Sequence, residues 1–300
     1  METAKKINLT YRGLSDVKYD IFKFPDGETH IKFTEELDRK QDYTVICRIT
    51  NAEDLWILMQ VGHILNTVKV VWDLKILYLM SMRMDRIISF RESFTLELVA
   101  DTINRMGPRK VYIFHPHSLR TMTEIKNSLY LDYLLPSVVH LEQSFYNPWI
   151  GEGQTAICYP DKGAYDRYAM DQGFEYRNAG NKPGVIVLKK VRDPETGQIK
   201  SIDFDEIKDV SEVVQPKRIT VLDDLCDAGG TFVKAAKLLR KRFPHSELFI
   251  FVRHIVNPLG IENLAKAYDS VYFTNSYSDF HDVNIPQNVF MYDVFSDMKD

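Results

Sequence analysis

Short apolar runs alternate along the chain with stretches that repeat apolar residues every three or four positions. The apolar run at 45–49 predicts a buried strand, and the helical spacing over 55–67 predicts a helix directly after it. The same alternation predicts further strands at 68–79, 110–114, 153–159, 184–188, 218–222, 246–252 and 270–273, and helices at 94–106, 164–172, 230–242 and 261–268. Strands that alternate with helices indicate right-handed βαβ units, so we predict an α/β fold with mostly parallel sheets flanked by helices.

The length of the chain suggests more than one domain. Its 300 residues correspond to about two domains at roughly 150 residues each. The proline-containing region at 135–150 is a soft boundary, and we predict an N-terminal domain over 1–140 and a C-terminal domain over 141–300. Turn residues in the middle of 192–204 predict a loop or a hairpin there.

Composition and charge exclude several classes of protein. With 45% hydrophobic and 27% charged residues, the chain has the make-up of a globular protein and not of a disordered one. The 38 basic and 42 acidic residues leave a net charge of -4, which excludes a broad nucleic-acid-binding surface. Three widely spaced cysteines and apolar runs far shorter than the ~20 residues of a membrane span predict a cytoplasmic protein with no membrane partner.

The junction between the predicted strand 218–222 and the predicted helix 230–242 carries the clearest candidate chemistry. Asp223, Asp224 and Asp227 stand on one strand-to-helix turn with Gly229 and Gly230. Ligands of open α/β sheets bind at this edge, and a glycine turn at a helix N-terminus can enclose an anion with backbone N–H groups. Carboxylates accept sugar hydroxyls, so the turn predicts a sugar-phosphate site. The alternative is a capped helix start with a Gly-Gly turn.

Residues 223–231 resemble the phosphoribosyl-pyrophosphate-binding motif of type I phosphoribosyltransferases and of ribose-phosphate pyrophosphokinases. Five further segments resemble motifs of the second family in the same order, and single-domain transferases lack the first three of them. These segments are 24–28 (Phe-Pro-Asp-Gly-Glu), 81–86 (Ser-Met-Arg-Met-Asp-Arg), 115–118 (His-Pro-His-Ser), 159–164 (Tyr-Pro-Asp-Lys-Gly-Ala) and 188–192 (Leu-Lys-Lys-Val-Arg). The chain is therefore similar to the ribose-phosphate pyrophosphokinase family from residue 20 to about residue 280. The resemblance implies two similar phosphoribosyltransferase-type domains.

Each of the five segments also has a plain structural alternative when taken by itself. Residues 24–28 could be a turn between two strands, and 81–86 a solvated charged turn. His115 and His117 could be capping histidines or a transition-metal pair, and Asp161 could cap a helix. The basic strand end at 188–192 could be solvated charge.

The resemblance implies that the protein transfers the β,γ-diphosphoryl group of ATP to the C1 hydroxyl of ribose 5-phosphate and releases AMP, with Mg²⁺ as cofactor. It also implies a homo-oligomer, a dimer or larger, because the family's ATP site borrows the Phe-x-Asp-Gly-Glu element from a neighbouring subunit. The implied catalytic residues are Lys190 and Arg192, and the implied metal ligands are His117 and Asp161. The implied ATP-binding residues are Phe24, Asp26, Glu28, Arg83, Asp85, Arg86 and His117. The implied ribose-phosphate-binding residues are Asp223, Asp224, Asp227, Ala228, Gly229, Gly230 and Thr231.

Three departures from the family pattern keep alternatives open. Ala228 replaces the threonine beside the 5-phosphate, His115 replaces an aspartate, and the loop at 193–204 looks more elaborate than in the family. Met84 also stands where the family has a glutamine. The loss of that hydroxyl donor motivates an acceptor with a linked phosphate, such as ADP-ribose, which would give ADP-ribose pyrophosphate and connect the protein to NAD metabolism. A catalytically silent regulatory relative is the remaining alternative.

Overall fold

The chain folds into two compact units in a computed structural model, of which we describe residues 4–87, 89–131, 155–172, 184–192, 199–208 and 215–295. Unit 1 comprises residues 1–135 together with 295–300, and unit 2 comprises residues 136–294. The boundary predicted at 140/141 falls outside the described residues, as do predicted strand residues 153–154.

Unit 1 is built on a five-stranded sheet in which all neighbouring strands are parallel, with the strand order β1-β4-β5-β6-β7. Strands β2 and β3 form a separate antiparallel hairpin. The apolar positions of the central strands and of two helices form one buried core. The elements are β1 (Lys5–Asn8), a 3-10 turn (Arg12–Leu14), β2 (Tyr19–Lys23), β3 (Thr29–Phe33), β4 (Tyr43–Ile49), α1 (Ala52–Val68), β5 (Trp72–Leu79), α2 (Thr95–Met106), β6 (Val111–Ile113), α3 (Leu119–Glu124) and β7 (Ser128–Tyr130).

Unit 2 is built on a seven-stranded sheet with the strand order β10-β9-β8-β11-β12-β13-β14. Strand β10 is antiparallel to β9, and the remaining neighbours are parallel. A second buried core lies between this sheet and the helices α5 and α6. The elements are β8 (Thr155–Tyr159), α4 (Lys162–Gln172), β9 (Gly184–Arg192), β10 (Ile199–Lys208), β11 (Arg218–Cys226), α5 (Gly230–Arg242), β12 (Glu247–Ile255), α6 (Pro258–Ala267), β13 (Ser270–Thr274) and β14 (Val289–Tyr292).

The predicted parallel α/β architecture is confirmed, while several element boundaries differ. The strand predicted from residue 68 begins only at Trp72, because α1 continues through Val68 and ends at Lys69 in the left-handed conformation (φ 63°). The loop or hairpin predicted at 192–204 is in part a hairpin, since β10 pairs with β9 over much of its length. Residues 193–198 of that segment lie outside the described part. The apolar pattern missed the short or polar strands β1, β7, β10 and β14 and the short helix α3.

Two further expectations bear on the environment of the protein. Cys47, Cys158 and Cys226 are all buried, and none is in a disulfide. Among the residues that the structure describes, no helix combines the length and the apolar character that crossing a bilayer requires.

Candidate active site

Strand β11 continues four residues beyond the predicted end at Leu222, so the Asp223–Asp224 pair lies on the strand and not on the turn after it. Its backbone stays paired with β12 from Arg218↔Glu247 to Cys226↔Ile255, and the amide of Val256 donates to the carbonyl of Cys226 at 2.9 Å. The prediction ended the strand at the first aspartate because aspartate is rare in strands. Pairing with a long neighbouring strand outweighs that preference here.

The two carboxylates project from opposite faces of the sheet, because successive side chains of a strand alternate. Asp223 follows Val221 on the face that packs against α5 and α6, and it is 8% exposed. Asp224 projects from the other face and is 2% exposed. Burial raises the pKa of the Cys226 thiol, and the negative charges of Asp223 and Asp227 raise it further, so both carboxylates lie near that sulfur.

The residues after β11 are held against the start of α6. The amide Nδ2 of Asn257 donates to Oδ1 of Asp227 at 2.9 Å, and Nδ2 of Asn263 donates to the carbonyl of Ala228 at 2.8 Å. Gly260 lies so close that a Cβ there would overlap the carbonyl oxygen of Asp227 and come within 3.1 Å of the Cys226 sulfur. Sequence reasoning missed these three residues of α6, since a plain helical stretch carries no signal of a neighbouring loop.

The start of helix α5 is open. Gly229 occupies the N-cap position with φ 80°, a conformation that favours glycine, and no side chain caps the helix among the described residues. A Cβ built on Gly230 would meet no atom within 4 Å. The first-turn N–H groups of a helix have no partner within the helix, and they attract anions when no side chain caps them. The junction predicted as a phosphate cradle therefore leaves the first-turn N–H groups of α5 without a side-chain cap among the described residues.

Lys190 and Asp161, predicted in separate roles, lie in direct contact in unit 2. The Nζ of Lys190 is 2.5 Å from Oδ2 of Asp161, and both side chains are partly buried. Oδ1 of Asp161 accepts from the amide of Ala164 at 2.9 Å, so the aspartate also caps α4, as its structural alternative suggested. Arg192 is the last residue of β9, and its side chain lies outside the described part of the structure.

Residues 24–28 form the turn of the β2–β3 hairpin, as the structural alternative for this segment proposed. The amide of Phe24 donates to the carbonyl of Glu28 at 2.9 Å, and the amide of Glu28 donates to Oδ1 of Asp26 at 3.1 Å. The turn leaves the Phe24 ring 44% exposed, 5.3 Å from the ring of Phe22 and 5.6 Å from that of His30. A purely structural turn does not need an exposed aromatic ring, so this ring is a candidate contact for a ligand.

Helix α1 anchors the base of the hairpin. Nε1 of Trp56 and Nε2 of Gln60 both donate to the carbonyl of Thr29, at 3.0 and 2.9 Å. Lys23 forms an ion pair with Glu53 at 2.9 Å, and hydrogen bonds from Thr29 and Lys23 lower the pKa of the Glu53 carboxyl. The turn is exposed while its stem is fixed, which positions the Phe24 ring.

The remaining ATP-side candidates follow two adjacent strands of the unit 1 sheet. Arg83, Asp85 and Arg86 come after β5, and Arg86 lies 3.7 Å from Asp85 as an ion pair. His115 and His117 come after β6, where His115 is nearly buried and has φ 42°. Carboxyl ends of neighbouring parallel strands meet at one edge of a sheet, so these candidates share that edge.

The predicted metal ligands come from different units, His117 from unit 1 and Asp161 from unit 2. Within the described ranges, no three or more His, Cys, Asp or Glu side chains form a group that could hold a metal. The Asp161 carboxylate is an oxygen ligand of the kind that Mg²⁺ takes when it is carried on substrate phosphates, where one or two protein carboxylates are typical.

Comparison with curated proteins identifies relatives over most of the chain, although no family model matches it. The ribose-phosphate pyrophosphokinase of Pyrococcus abyssi is 27% identical over 272 residues, which cover 87% of this chain and 84% of the relative. The enzyme of that name from Pyrococcus furiosus is 27% identical over 86% of this chain and 85% of the relative. The one from Mycoplasma genitalium is 25% identical over 89% of this chain and 74% of the relative.

A solved structure shares the fold. The crystal structure of phosphoribosylpyrophosphate synthetase from Mycobacterium smegmatis covers 99% of this chain with 97% of its own, at a TM-score of 0.74 and 18% identity. This match confirms the predicted fold class. The curated relatives confirm the resemblance that the motifs indicated: over most of its length, the chain is similar to proteins named ribose-phosphate pyrophosphokinase.

Proposed function

We propose that the protein transfers the β,γ-diphosphoryl group of ATP to the C1 hydroxyl of a ribose 5-phosphate unit and releases AMP. The observation that carries this proposal is the open start of helix α5, where Gly229 and Gly230 follow strand β11, whose last turn-side residues include Asp223 and Asp224. The names of the curated relatives support the same reaction. We also predict that the protein is cytoplasmic and forms a homo-oligomer.

The acceptor is held by unit 2 in this proposal. The backbone N–H groups at 229–231 bind its phosphate, because they lie at the positive end of the α5 dipole. Asp223 and Asp224 accept hydrogen bonds from the ribose hydroxyls, and bonds to a charged acceptor are stronger than neutral ones. The hydrogen bonds from Asn257 and Asn263 fix the conformation of the loop between β11 and α5.

Lys190 and Arg192 stabilise the charge of the diphosphoryl group while it moves from ATP to the acceptor. Phosphoryl transfer depends on positioning and electrostatic stabilisation more than on covalent help from the protein. The ion pair with Asp161 orients the Lys190 ammonium group. Magnesium bound to the ATP phosphates would neutralise part of the phosphate charge. His117 in unit 1 and Asp161 in unit 2 stay the ligands that the family resemblance implies.

ATP is bound through unit 1. The exposed Phe24 ring can stack on the adenine, and Asp26 and Glu28 lie on the same turn. Arg83, Asp85, Arg86 and His117 contribute from the carboxyl edge of the sheet. The predicted homo-oligomer rests on the family resemblance, which implies that this element contacts ATP bound to a neighbouring subunit.

ADP-ribose is a second candidate acceptor, and one feature of the loop favours it. Ala228 removes a hydroxyl donor beside the phosphate, and Gly230 faces space that no protein atom fills within 4 Å. A phosphate within a pyrophosphate link carries one less charge and needs fewer donors. The open side of Gly230 leaves room for the group beyond the link.

Side-by-side assays of AMP release decide between these acceptors. The protein is incubated with ATP and Mg²⁺, and with ribose 5-phosphate, ADP-ribose or no acceptor. Release with ribose 5-phosphate alone supports the first acceptor and excludes the second, and release with ADP-ribose alone does the reverse. No release with either acceptor, together with retained ATP binding, would contradict the proposed activity and favour a silent regulatory relative.

A further inference from the structure

One face of helix α6 contacts residues 227–229 between β11 and α5, which we call the acceptor loop. Asn257, Gly260 and Asn263 are spaced by three positions, so they lie on the same face. Nδ2 of Asn257 donates to Oδ1 of Asp227 at 2.9 Å, and Nδ2 of Asn263 donates to the carbonyl of Ala228 at 2.8 Å. Gly260 lies against the carbonyl oxygen of Asp227. The helix therefore contacts consecutive residues of the loop.

The contact at Gly260 is made by the backbone. A Cβ built there would overlap the carbonyl oxygen of Asp227 and would lie 3.1 Å from Sγ of Cys226, whose thiol donates to the same carbonyl at 3.2 Å. Asp227 directly follows the paired end of β11, so its peptide cannot move aside as the end of a flexible side chain can. Any side chain at position 260 must therefore displace the acceptor loop.

The same face of α6 reaches the helix start that is proposed to bind the acceptor phosphate. A Cβ built on Gly229, the N-cap residue of α5, would lie 3.6 Å from Cβ of Asn263 and 3.6 Å from the carbonyl oxygen of Gly260. The first-turn N–H groups of α5 follow this residue directly. The position of α6 therefore sets the position of these N–H groups.

The side-chain amide of Asn257 is used at both ends. Its Oδ1 accepts from the amide of Leu259 at 3.0 Å and caps α6, while its Nδ2 donates to Asp227. A flipped amide would turn its oxygen towards the carboxylate and its NH2 group towards the Leu259 N–H, and it would lose both bonds. The cap of α6 therefore fixes the direction from which Asp227 is held.

A carboxylate is a poor ligand for a phosphate, because like charges repel. Asp227 stands only two residues before Gly229, the start of the proposed phosphate site. Its hydrogen bond to Asn257 directs one carboxylate oxygen to α6. This contact gives Asp227 a structural use that does not require it to bind the acceptor.

We propose that Asp227 is a positioning residue and that α6 is the template for the acceptor loop. Asp227 fastens the loop to Asn257, and Gly260 lets the two backbones approach each other. Together they place the N–H groups at 229–231 where the acceptor phosphate binds, and the Asp227 carboxylate contacts α6 and not the acceptor. The inference rests on the proposed function, because it assigns the support of that function's acceptor site.

A suppression test in the full-length protein separates positioning from direct contact. Asn257→Asp places two carboxylates face to face, and we expect it to raise the acceptor KM about tenfold while the ATP KM stays unchanged. Asp227→Asn alone keeps a neutral hydrogen bond to Asn257 and should change the acceptor KM by about twofold or less. In the double variant the new amide donates to the new carboxylate, so the acceptor KM should fall back to within about threefold of the unmodified value. A double variant no better than Asn257→Asp would overturn the proposal, since reversing a support does not restore a lost ligand.

Asp227→Ala in the Asn257→Asp background controls for charge. It removes the same negative charge as Asp227→Asn but offers no group for a hydrogen bond. We expect its acceptor KM to stay about threefold or more above that of the variant with asparagine. Equal recovery with alanine and with asparagine would assign the effect to net charge and would overturn the proposal.

Gly260→Ala tests the backbone contact independently. We expect the acceptor KM to rise about tenfold or more, with the ATP KM unchanged. The matched control is Gly62→Ala in α1, where a Cβ would meet the flexible side chain of Met106 at 3.3 Å. An unchanged acceptor KM in a folded Gly260→Ala protein would overturn the role of the backbone contact. If Gly260→Ala does not fold, the suppression test decides.

Asn288→Ala is a control at the far end of α6. Its Nδ2 donates to the carbonyls of Ala265 and Tyr268 at 2.9 and 3.0 Å. Its loss should lower the free energy of unfolding and leave the acceptor KM unchanged. A rise in acceptor KM as large as that of Asn257→Asp would show that general loosening of α6, and not the hold on Asp227, explains the effect.

Failure of the proposed function gives a different result. If the unmodified protein binds ribose 5-phosphate or ADP-ribose but releases no AMP, the proposed reaction fails, and calorimetric Kd values of that acceptor replace KM in the same comparison. Suppression of Asn257→Asp by Asp227→Asn in these Kd values would support the positioning role. If the protein binds neither compound, the acceptor site and the positioning role are both overturned.

Discussion

A helix follows a parallel strand in both units, yet the two helix starts differ. In unit 1, the Asn51 side chain caps α1 and accepts from the amides of Glu53 and Asp54 at 2.8 and 3.1 Å. Asp54 in turn accepts from the amide and the hydroxyl of Thr50 at 2.8 and 2.6 Å. In unit 2, helix α5 begins after Gly229 and has no side-chain cap among the described residues.

The difference shows that helix starts of the same architecture can differ in whether their first N–H groups are capped by a side chain. Amide side chains at the N-cap satisfy the free N–H groups of α1, and a carboxylate next to them repels an anion. At α5, glycine leaves the same groups to a ligand. A shared fold therefore does not give each unit a phosphate site, because the residue at the N-cap decides whether the first N–H groups of the helix can bind an anion.

Loss of the charge on Lys190 should have the largest effect. Lys190→Ala is expected to lower kcat by roughly 100- to 1,000-fold, as loss of one group that stabilises transition-state charge does, with little change in ATP binding. Steady-state AMP release and titration calorimetry with ATP measure the two quantities. The matched control is Lys189→Ala, whose exposed ammonium forms only a 3.7 Å ion pair with Asp205. Near-normal turnover of Lys190→Ala would remove Lys190 from the catalytic role.

A methyl group at the open helix start should be the next largest change. Gly230→Ala clashes with no protein atom and replaces glycine with a better helix former, so the protein should stay at least as stable. The methyl group occupies the space assigned to the acceptor phosphate, and the acceptor KM should rise by about tenfold, or ~1.4 kcal/mol. The exposed Gly13→Ala in unit 1 is the control, because it also meets no atom. An unchanged acceptor KM would show that the junction between β11 and α5 is only a structural turn.

Truncation of the exposed Phe24 ring in unit 1 should weaken the binding of ATP and leave the binding of the acceptor unchanged. Phe24→Ala is expected to raise the ATP KM roughly fivefold, since stacking of a base on an aromatic ring contributes about 1 kcal/mol or more. The acceptor KM should stay the same. Phe290→Ala, which removes an equally exposed ring (44%) from unit 2, is the control. Equal changes in the ATP KM of both variants would contradict a contact between the Phe24 ring and the adenine.

Loss of the Asn51 cap of α1 should lower the stability of the protein without changing the KM of either substrate. Asn51→Ala is expected to lower the free energy of unfolding by about 1 kcal/mol, a typical cost of a lost N-cap, with both KM values unchanged. Denaturant unfolding and steady-state kinetics measure this. Asn257→Ala also removes a cap, at α6, but it releases Asp227 as well and should therefore raise the acceptor KM. A rise in acceptor KM for Asn51→Ala would contradict the contrast between the two helix starts.

Predictions from the sequence worked best where local chemistry decides the structure. The turn at 24–28 needs Pro, Asp and Gly in adjacent positions, and the structure forms that turn with φ 91° at Gly27. Helix α5 spans the predicted residues because its apolar spacing and the Gly229–Gly230 pair at its start are local signals. The ion pair between Lys190 and Asp161 joins residues 29 positions apart, and no pattern in the sequence indicated it.

The sequence by itself determined the order of strands and helices, the parallel α/β architecture and the segments that carry candidate chemistry. These depend on residue spacing and on turn residues that act over a few positions. Only the tertiary structure decided that β11 extends through Cys226, that Asp223 and Asp224 face opposite sides, and that Gly260 packs against the loop after β11. Strand pairing and close packing set these relations, and both join residues that are distant in the chain.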